Sequence, residues 1–301
     1  MSTCPSSAFA DPVLDQPPAE AEHHLFHAHV LKLEHIGQNL LRITLGSPEF
    51  RSWSLTGPDE FFGLVMPAPR TNSPAEHTAA LERLPRPEGA NLRAVLNHLP
   101  EDLRPRLRWY TVRHFDAGAA TLTFDVATHG AESPNEPHLG PGLRWALQAQ
   151  PGDAVGVFSV HGLWNRRWQR QILIADASSL PSVFSIADYL SEFHPQQLAT
   201  THVVAVAEGA EDIEASAWRD LSDTVASATL LTEPICNQAA AAGDFVRATF
   251  APTPANRPDY MWVAGEGGLC KRMRALALRE WGLDPAAILW CPYWYIGRPR
   301  P

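Results

Sequence analysis

Cysteine is scarce in this chain. Only four occur among 301 residues, at Cys4, Cys236, Cys270 and Cys291, and no two are spaced as Cys-x-x-Cys. Zinc ribbons and iron–sulfur clusters take ligands from closely spaced cysteines, so we expect neither in this chain. Scattered free thiols are typical of a reducing compartment, and they predict a cytoplasmic protein.

Long apolar runs and excess positive charge are also missing. No window of 18 consecutive apolar residues exists, so we expect no membrane span. The formal net charge is -9, and it gives no indication of a nucleic-acid partner. Residues 1–22 lack a basic segment followed by an apolar run, so they do not resemble a secretory signal. We expect them to form a disordered tail, because they are rich in Pro, Ser, Ala and acidic residues.

Metal-binding patterns are weak. His23, His24, His27 and His29 cluster near the start, but the His-Glu-x-x-His spacing of zinc proteases is absent. A metal site is one interpretation of the cluster. We expect a solvated segment that leads into a strand, and no metal.

The first half of the chain reads as short strands separated by turns. They cover residues 29–33, 40–45, 61–67, 107–115, 120–128 and 154–160. This pattern predicts a small antiparallel β-barrel. Residues 68–107 interrupt it with a segment rich in Pro, Arg, Asn and Glu, which has a helical fragment near residues 79–84. Such a long surface excursion is either a functional lid or a variable insertion.

After Asn165 strands and helices alternate. The predicted strands are 171–175, 201–207, 228–231, 260–264 and 288–290, and the predicted helices are 180–193, 213–221, 239–250 and 269–281. Asp212 is the expected N-cap of the second helix. Alternation predicts a parallel sheet covered on both faces. We therefore expect two domains after the tail, an antiparallel β-barrel over 23–166 and an α/β domain over 167–301.

One predicted strand carries the groups that a flavin dinucleotide needs. In Arg108-Trp109-Tyr110-Thr111-Val112-Arg113 there are a cation for phosphate, a flat aromatic ring and a small hydroxyl. Side chains two apart share a face, so Arg108 and Tyr110 can reach one ligand. The alternative is an ordinary barrel strand with surface arginines.

A glycine-rich turn follows downstream. Gly140-Pro141-Gly142-Leu143 precedes a predicted helix over 142–150, which ends at Pro151-Gly152-Asp153. Helix N-termini present free N–H groups that hold phosphate, and glycines let a pyrophosphate approach the backbone. The alternative is plain turn punctuation.

In the second half, ligands are expected at the carboxyl ends of the parallel strands. The loops Asp176-Ala177-Ser178-Ser179 and Gly265-Glu266-Gly267-Gly268 lie at those ends. A Gly-x-Gly-x-x-Gly signature is absent from the sequence, so the motif of a standard dinucleotide site is missing.

Taken in order, these segments resemble a known family. The strand motif is similar to the Arg-x-Tyr-Thr-x-Arg flavin motif of the siderophore-interacting proteins, which are ferric-siderophore reductases of the ferredoxin-reductase superfamily. The resemblance covers about residues 26–298. It also rests on the segments Asp125, His129-Gly130, Gly140–Ala146, Pro151–Asp153, Trp262–Glu266 and Tyr293–Gly297.

The resemblance implies FAD as the cofactor and assigns site residues. Tyr110 and Thr111 would form the environment of the flavin ring. The residues implied to contact the cofactor are Arg108, Tyr110, Thr111, Val112, Arg113, Asp125, His129, Gly130, Gly140, Gly142, Leu143, Trp145, Glu266 and Trp294. Asp176, Ser178, Gly265 and Glu266 would lie on the electron-donor side. Arg113 and Arg298 would lie beside the ferric substrate.

Departures from the family pattern cluster on the donor side. Ala175-Asp176-Ala177-Ser178 stands where the family commonly has Gly-Asp-Glu-Thr, and Tyr295 stands where it has Arg or Lys. Gly63 replaces a common lysine, and Leu143 replaces a common Ser or Ala. The donor therefore stays open between NADH, NADPH and a ferredoxin.

The function that the resemblance implies is FAD-dependent reduction of an Fe(III)-siderophore, which releases Fe(II) during iron acquisition. One alternative is a general flavin reductase or electron-transfer protein. Another is a binding protein on the same fold that no longer turns over.

Overall fold

The computed structural model describes residues 23–68, 71, 73–84, 91–128, 131, 133–136, 139–165, 168–250, 253 and 257–297. The predicted tail, residues 1–22, lies outside this range. Internal contacts divide the chain into two compact units, Met1–Gly162 and Leu163–Pro301.

The first unit is built on an antiparallel sheet of seven strands. Its strands are β1 (Leu25–Gly37), β2 (Leu40–Gly46), β3 (Phe61–Met66), β4 (Arg106–Thr111), β5 (His114–Asp116), β6 (Thr121–Ala127) and β7 (Ala154–Ser159). Their order in the sheet is β4-β3-β7-β1-β2-β6-β5. Strand β6 shows why they form, since Leu122, Phe124 and Val126 are buried and alternate with half-buried residues.

The sheet curls so that β4, at one edge, reaches β6 near the other. The backbone N–H of Arg113 donates to the carbonyl of Thr123 at 2.8 Å, and the Tyr110 and Phe124 rings lie 4.9 Å apart. The inner face holds one apolar cluster that includes Ile43, Phe62 and Phe124. The predicted antiparallel character of this half of the chain is confirmed.

Residues 107–115 do not form the single strand predicted for them. The chain leaves β4 at Thr111, and Val112 donates its N–H to the carbonyl of Glu60, on the β3 side. Arg113 then donates to Thr123 on β6. The segment breaks because consecutive residues bond to opposite edges of the curled sheet.

The excursion between β3 and β4 contains two helices. They are α1 (Pro74–Glu82) and α2 (Leu92–Asn97), so the predicted fragment at 79–84 begins earlier and a second helix was not predicted. Both cover the outer face of the sheet, where Leu81 and Leu92 pack in a cluster with Val65 and Phe158. Helix α3 (Pro141–Ala146) is shorter than the predicted 142–150.

The second unit contains a parallel sheet of five strands flanked by helices, as predicted. Its elements are β8 (Gln171–Asp176), α4 (Leu180–Phe193), α5 (Pro195–Leu198), β9 (Thr201–Ala207), α6 (Ala215–Thr224), β10 (Ser227–Thr232), α7 (Gln238–Thr249), β11 (Tyr260–Glu266), α8 (Gly267–Arg279) and β12 (Ile288–Trp294). The order is β10-β9-β8-β11-β12, and every pairing is parallel. All six residues of β8 are buried, as expected for a central strand covered on both faces.

The predicted N-cap Asp212 is wrong. Glu214 stands at the N-cap position of α6, whereas the Asp212 carboxylate accepts the N–H groups of Glu208 and Gly209 at 3.1 and 3.0 Å. The aspartate therefore closes the turn that follows β9. None of the helices in the described part of the chain combines the length and apolar character needed to cross a bilayer.

Candidate functional site

Strand β4 separates polar from apolar side chains on its two faces. Arg106, Arg108 and Tyr110 share one face, because alternate residues of a strand point the same way. Leu107 and Trp109 point to the other face, where they join the apolar cluster under α1 and α2. The side chains of β4 that could bind a ligand therefore lie on one face of the strand.

Helix α3 lies against this polar face at Gly142. A Cβ atom on Gly142 would lie 2.6 Å from the Tyr110 hydroxyl oxygen and 3.0 Å from Cγ of Arg108. Only glycine permits so close an approach. We call Arg106, Arg108, Tyr110 and Gly142 the β4–α3 cradle.

Three arginines concentrate positive charge at the cradle. Burial lowers the pKa of Arg108, Tyr110 partly opposes this, and the charges of Arg93 and Arg106 lower the pKa further. One guanidinium donor of Arg108 bonds to the carbonyl of Leu107 at 2.7 Å. Two arginines, Arg106 and Arg108, on one face of a strand suit an anionic ligand.

Tyr110 supplies a neutral hydroxyl. Burial raises the pKa of Tyr110 to about 12, with Arg108 opposing, so the phenol keeps its proton at neutral pH. Its ring packs against Phe124 of the inner core. The hydroxyl therefore offers both a hydrogen-bond donor and a fixed position beside Gly142.

A groove of about 610 Å³ runs beside the cradle, within the first unit. Arg106, Trp145 and Pro141 line it, together with residues at the end of β3 and the start of β7. Arg144 also lines it, and its guanidinium donates to the carbonyls of Pro134, Glu136 and Leu139. Arg144 thereby holds the loop that leads into α3.

Residues 111–113 lie at the far end of β4. The side chains of Thr111, Val112 and Arg113 are all buried, at 5%, 3% and 8% exposure. Val112 packs in the inner core and its N–H bonds to Glu60, so its side chain and N–H serve the fold. A ligand contact by Val112 would have to use its carbonyl.

Asp125 is engaged elsewhere. It forms a two-pronged ion pair with Arg42, with Nε to Oδ1 at 2.7 Å and Nη2 to Oδ2 at 2.8 Å. These residues are cross-strand partners on β2 and β6. The carboxylate therefore has a structural partner within the sheet. The other predicted site residues His129, Gly130 and Arg298 lie outside the described part of the chain.

Near the start of β3 lies a buried acid that sequence reasoning missed. Glu60 accepts hydrogen bonds from the Trp53 indole N–H at 3.1 Å and from the Thr56 N–H and hydroxyl. Burial, with a smaller contribution from nearby Asp59, raises the pKa of Glu60 to about 8 despite these bonds. No periodic or motif signal in the sequence marks this residue.

In the second unit, the structure brings the predicted donor-side residues together around one carboxylate. Asp176, at the end of β8, accepts the N–H groups of Ser178 and Ser179 and the Ser178 hydroxyl at 3.0, 3.2 and 2.6 Å. It also accepts the N–H of Glu266 at 2.7 Å and the indole N–H of Trp294 at 2.9 Å. Burial raises the pKa of Asp176, and these bonds oppose the rise.

Glu266 closes the start of α8. Oε2 of its carboxylate accepts the N–H groups of Gly268 and Leu269, and Oε1 accepts the N–H of Ile296 at 3.3 Å. Gly265 before it has φ +127°, and a Cβ there would lie 2.5 Å from the Asp176 carboxylate. Glycine is therefore required where β11 passes Asp176.

Each of the three aromatic residues at the end of β12 and just after it contacts another element of the second unit. The Tyr293 hydroxyl lies 3.0 Å from the Ser182 hydroxyl of α4, and Trp294 donates to Asp176. The Tyr295 ring lies against Gly267, where a Cβ would be 2.1 Å from a ring carbon. Tyr295 thus covers the N-terminus of α8.

At Gly63, where the family commonly has lysine, neighbouring side chains leave no room for a Cβ atom. A Cβ at this position would lie 2.8 Å from Leu107 and 2.9 Å from Trp109, both on β4. The space beside Gly63 is filled by Trp109, which packs edge-on against Phe61.

Sequence reasoning also missed Arg93 and Arg106. Arg106 precedes Arg108 by two, so strand periodicity could have placed both on one face. Arg93 lies in α2, which the sequence did not predict, and only the tertiary fold brings it close.

Comparison with known proteins gives two family matches. Residues 29–162 match the model described as the siderophore-interacting FAD-binding domain, and residues 168–297 match the model described as siderophore-interacting protein. An uncharacterized protein of Mycobacterium bovis is 26% identical over 164 residues, which are 54% of this chain and 52% of that protein. The chain thus spans about half the length of the curated relatives it matches.

Solved structures share the fold over nearly the whole chain. The siderophore-interacting protein SipS from Aeromonas hydrophila superposes with a TM-score of 0.67 at 21% identity and covers 94% of this chain and 93% of its own. A siderophore utilization protein from T. fusca has a TM-score of 0.65 at 23% identity, with coverage of 94% and 97%. At these identities the likeness establishes the fold.

Proposed function

Because the chain belongs to the siderophore-interacting protein family, we propose that it reduces Fe(III) held by a siderophore and so releases Fe(II). The family supports this proposal, because its first model describes a siderophore-interacting FAD-binding domain and its second a siderophore-interacting protein. The reduction itself, its substrate and its electron donor are the content of the proposal.

The residues of the β4–α3 cradle fit the phosphates of FAD. A pyrophosphate needs cations and closely approaching backbone, and the cradle offers Arg106 and Arg108 on one strand face, with Gly142 against Arg108. We assign the phosphate contacts to Arg108 and to the backbone at Gly142 and Leu143. The close approach of Gly142 to Arg108 and Tyr110 is the observation that carries the proposal.

The groove beside the cradle has room for the rest of the cofactor's adenosine half. Its volume of about 610 Å³ suits a nucleotide-sized group, and Trp145 supplies an aromatic surface. We assign the flavin ring to the Thr111 end of β4, next to the cradle residue Tyr110. When bound, FAD supplies the electron-transfer chemistry that no amino-acid side chain provides.

Iron release follows from ligand preference. Siderophores present hard oxygen ligands that favour Fe(III), so one electron added to the metal weakens its binding and frees Fe(II). The chain needs no nucleophile for this reaction, and its role is to hold the chelate beside the cofactor. Within the first unit we assign that role to Arg113, which is 8% exposed.

The predicted donor-side residues lie at the ends of two neighbouring parallel strands. Asp176, Ser178, Gly265 and Glu266 gather at the carboxyl ends of β8 and β11, where a donor would bind in this fold. NAD(P)H and a reduced ferredoxin are the candidate donors. We place the reaction in the cytoplasm, a proposal supported by the free thiols of Cys236, Cys270 and Cys291.

The test is to load the full chain with FAD, reduce it by light under anaerobic conditions, and add a ferric trihydroxamate chelate. The proposal predicts that the yellow colour returns and that Fe(II) appears in step, trapped by a ferrous-specific dye. If colour returns only on admitting oxygen, the protein is a general flavin reductase. If the chain takes up no FAD, it is a binding protein on the same fold.

A further inference from the structure

The backbone donors at the carboxyl ends of the parallel strands are taken by the chain's own carboxylates. Asp176 holds the N–H groups of Ser178 and Ser179 at the start of α4. Glu266 holds those of Gly268 and Leu269 at the start of α8, and that of Ile296. These amides are the groups that would otherwise bind phosphate.

The turn after β9 follows the same rule. Asp212 accepts the N–H groups of Glu208 and Gly209, and Glu208 in turn accepts the N–H of Ile235 at 3.3 Å. The strand ends therefore carry negative charge where a dinucleotide site carries exposed donors. A pyrophosphate brought there would meet like charge and occupied amides.

A ring closes the start of α8 as well. Tyr295 lies so close to Gly267 that no Cβ would fit between them. Lys271, one turn into the helix, lies with its ammonium 5.9 Å from the Tyr295 ring centroid. The Glu266 carboxylate and the Tyr295 ring thus both cover the start of α8.

We infer that Glu266 is a specificity-determining residue that excludes dinucleotide phosphates from the start of α8. This inference rests on the proposed function and deepens it, because it selects among the donors. NADPH is disfavoured as the electron donor, and a small electron-transfer protein such as a reduced ferredoxin is favoured, since it delivers electrons without seating a pyrophosphate at this helix.

The test uses the full-length, FAD-loaded chain and two probes, NADPH and inorganic pyrophosphate. Glu266→Gln removes the charge that caps α8, whereas Glu266→Asp keeps a capping carboxylate. Glu233→Gln is the matched control, since Glu233 is an acid at the same strand ends that caps neither α4 nor α8. Binding is measured by calorimetry, and flavin reduction by anaerobic rapid mixing.

We expect Glu266→Gln to bind both probes at least tenfold more tightly than the parent, and to be reduced faster by limiting NADPH. Glu266→Asp and Glu233→Gln should match the parent in their binding of both probes. Glu233→Gln should also accept electrons from a photoreduced ferredoxin as well as the parent does.

Two results would overturn the inference. One is Glu266→Gln binding NADPH no better than the parent, with Glu266→Asp confirming that the site still folds. The other is tight NADPH binding by the parent that Glu266→Gln weakens. Neither outcome bears on the proposed function, which fails instead if the parent chain takes up no FAD or leaves the ferric chelate unreduced.

Discussion

At the scale of single residues, the proposed FAD phosphate site depends most on Arg108. Its side chain is half-buried, its Cβ and Cγ lie beside Gly142, and the charges of Arg93 and Arg106 act on its guanidinium. Arg108→Ala should raise the dissociation constant of FAD by roughly 10- to 100-fold, because hydrogen bonds to a charged partner contribute about 1.5–3 kcal/mol. Flavin absorbance per mole of purified protein measures the effect.

The control for Arg108→Ala is Arg219→Ala, which removes an exposed arginine from α6 in the second unit. It should keep full FAD. Unchanged thermal unfolding of the apo forms of both variants would separate lost binding from lost fold. Full flavin occupancy in Arg108→Ala would remove Arg108 from the phosphate site.

Glu60 makes stability depend on pH. Its folded pKa of about 8 lies above the ordinary value of 4.5, so its contribution to stability is fully present below pH 4.5 and is lost as pH rises towards 8. Relative to Glu60→Gln, the parent should lose up to about 1.4 kcal/mol of unfolding free energy per pH unit across this window.

Chemical denaturation at several pH values between 5 and 8 measures the difference in slope. The comparison uses slopes because the substitution also alters the bonds from Trp53 and Thr56, which shifts the curve at every pH. Parallel curves for the two proteins would show that Glu60 ionises normally in the fold.

The sequence predicted single residues where a motif and a periodicity agreed. Arg108 and Tyr110 share a strand face as expected, and Gly142 lies against both. Arg93 escaped prediction because its position depends on tertiary packing. The ion pair of Asp125 with Arg42 escaped for the same reason, since 83 residues separate the two in sequence.

At the scale of elements, the contact of α3 with β4 is the most sensitive to substitution. Gly142→Ala should place a methyl group against the Tyr110 hydroxyl and Arg108, which costs about 1–3 kcal/mol by overpacking. Flavin affinity should fall together with stability, because the helix must move off the strand. Thermal unfolding and flavin titration measure the two effects.

Gly140→Ala is the matched control for this prediction. Gly140 has φ -64°, and nothing lies within 4 Å of a Cβ placed there. The variant should therefore keep the stability of the parent. Equal behaviour of the two alanine variants would show that α3 does not need to approach β4 so closely.

Elements with a strong apolar pattern were predicted well. The predicted bounds of α4 and β9 match the structure, since continuous burial and a proline in the first turn mark them. Helix α2 was missed because six residues between Pro-rich segments give too short a period to recognise. The break in residues 107–115 was missed because it depends on bonds to Glu60 and Thr123, which are distant in sequence.

At the scale of the whole molecule, positive and negative side chains gather at different places. The chain carries a net charge of -9, yet its first unit places Arg106 and Arg108 in one cradle, with Arg93 near enough to lower the pKa of Arg108. The ends of the parallel strands in its second unit are instead lined by carboxylates. This division favours an anionic cofactor in the first unit and disfavours a dinucleotide pyrophosphate at the strand ends of the second.

The two-part architecture could be predicted from the sequence because each half has its own period. Alternating residues in strands such as β6 indicated the antiparallel sheet, and alternating strands and helices indicated the parallel one. Composition only excluded other classes of protein, such as membrane-spanning and nucleic-acid-binding proteins. Function could be predicted only through the residues of the motif, since this fold alone does not determine chemistry.

The most direct test of the central claim is a crystal structure of the chain with FAD bound. The account predicts the two phosphate groups beside Gly142, with the Arg108 guanidinium within hydrogen-bonding distance of a phosphate oxygen. Phosphates located elsewhere, with the β4–α3 cradle filled by the protein's own side chains, would contradict it.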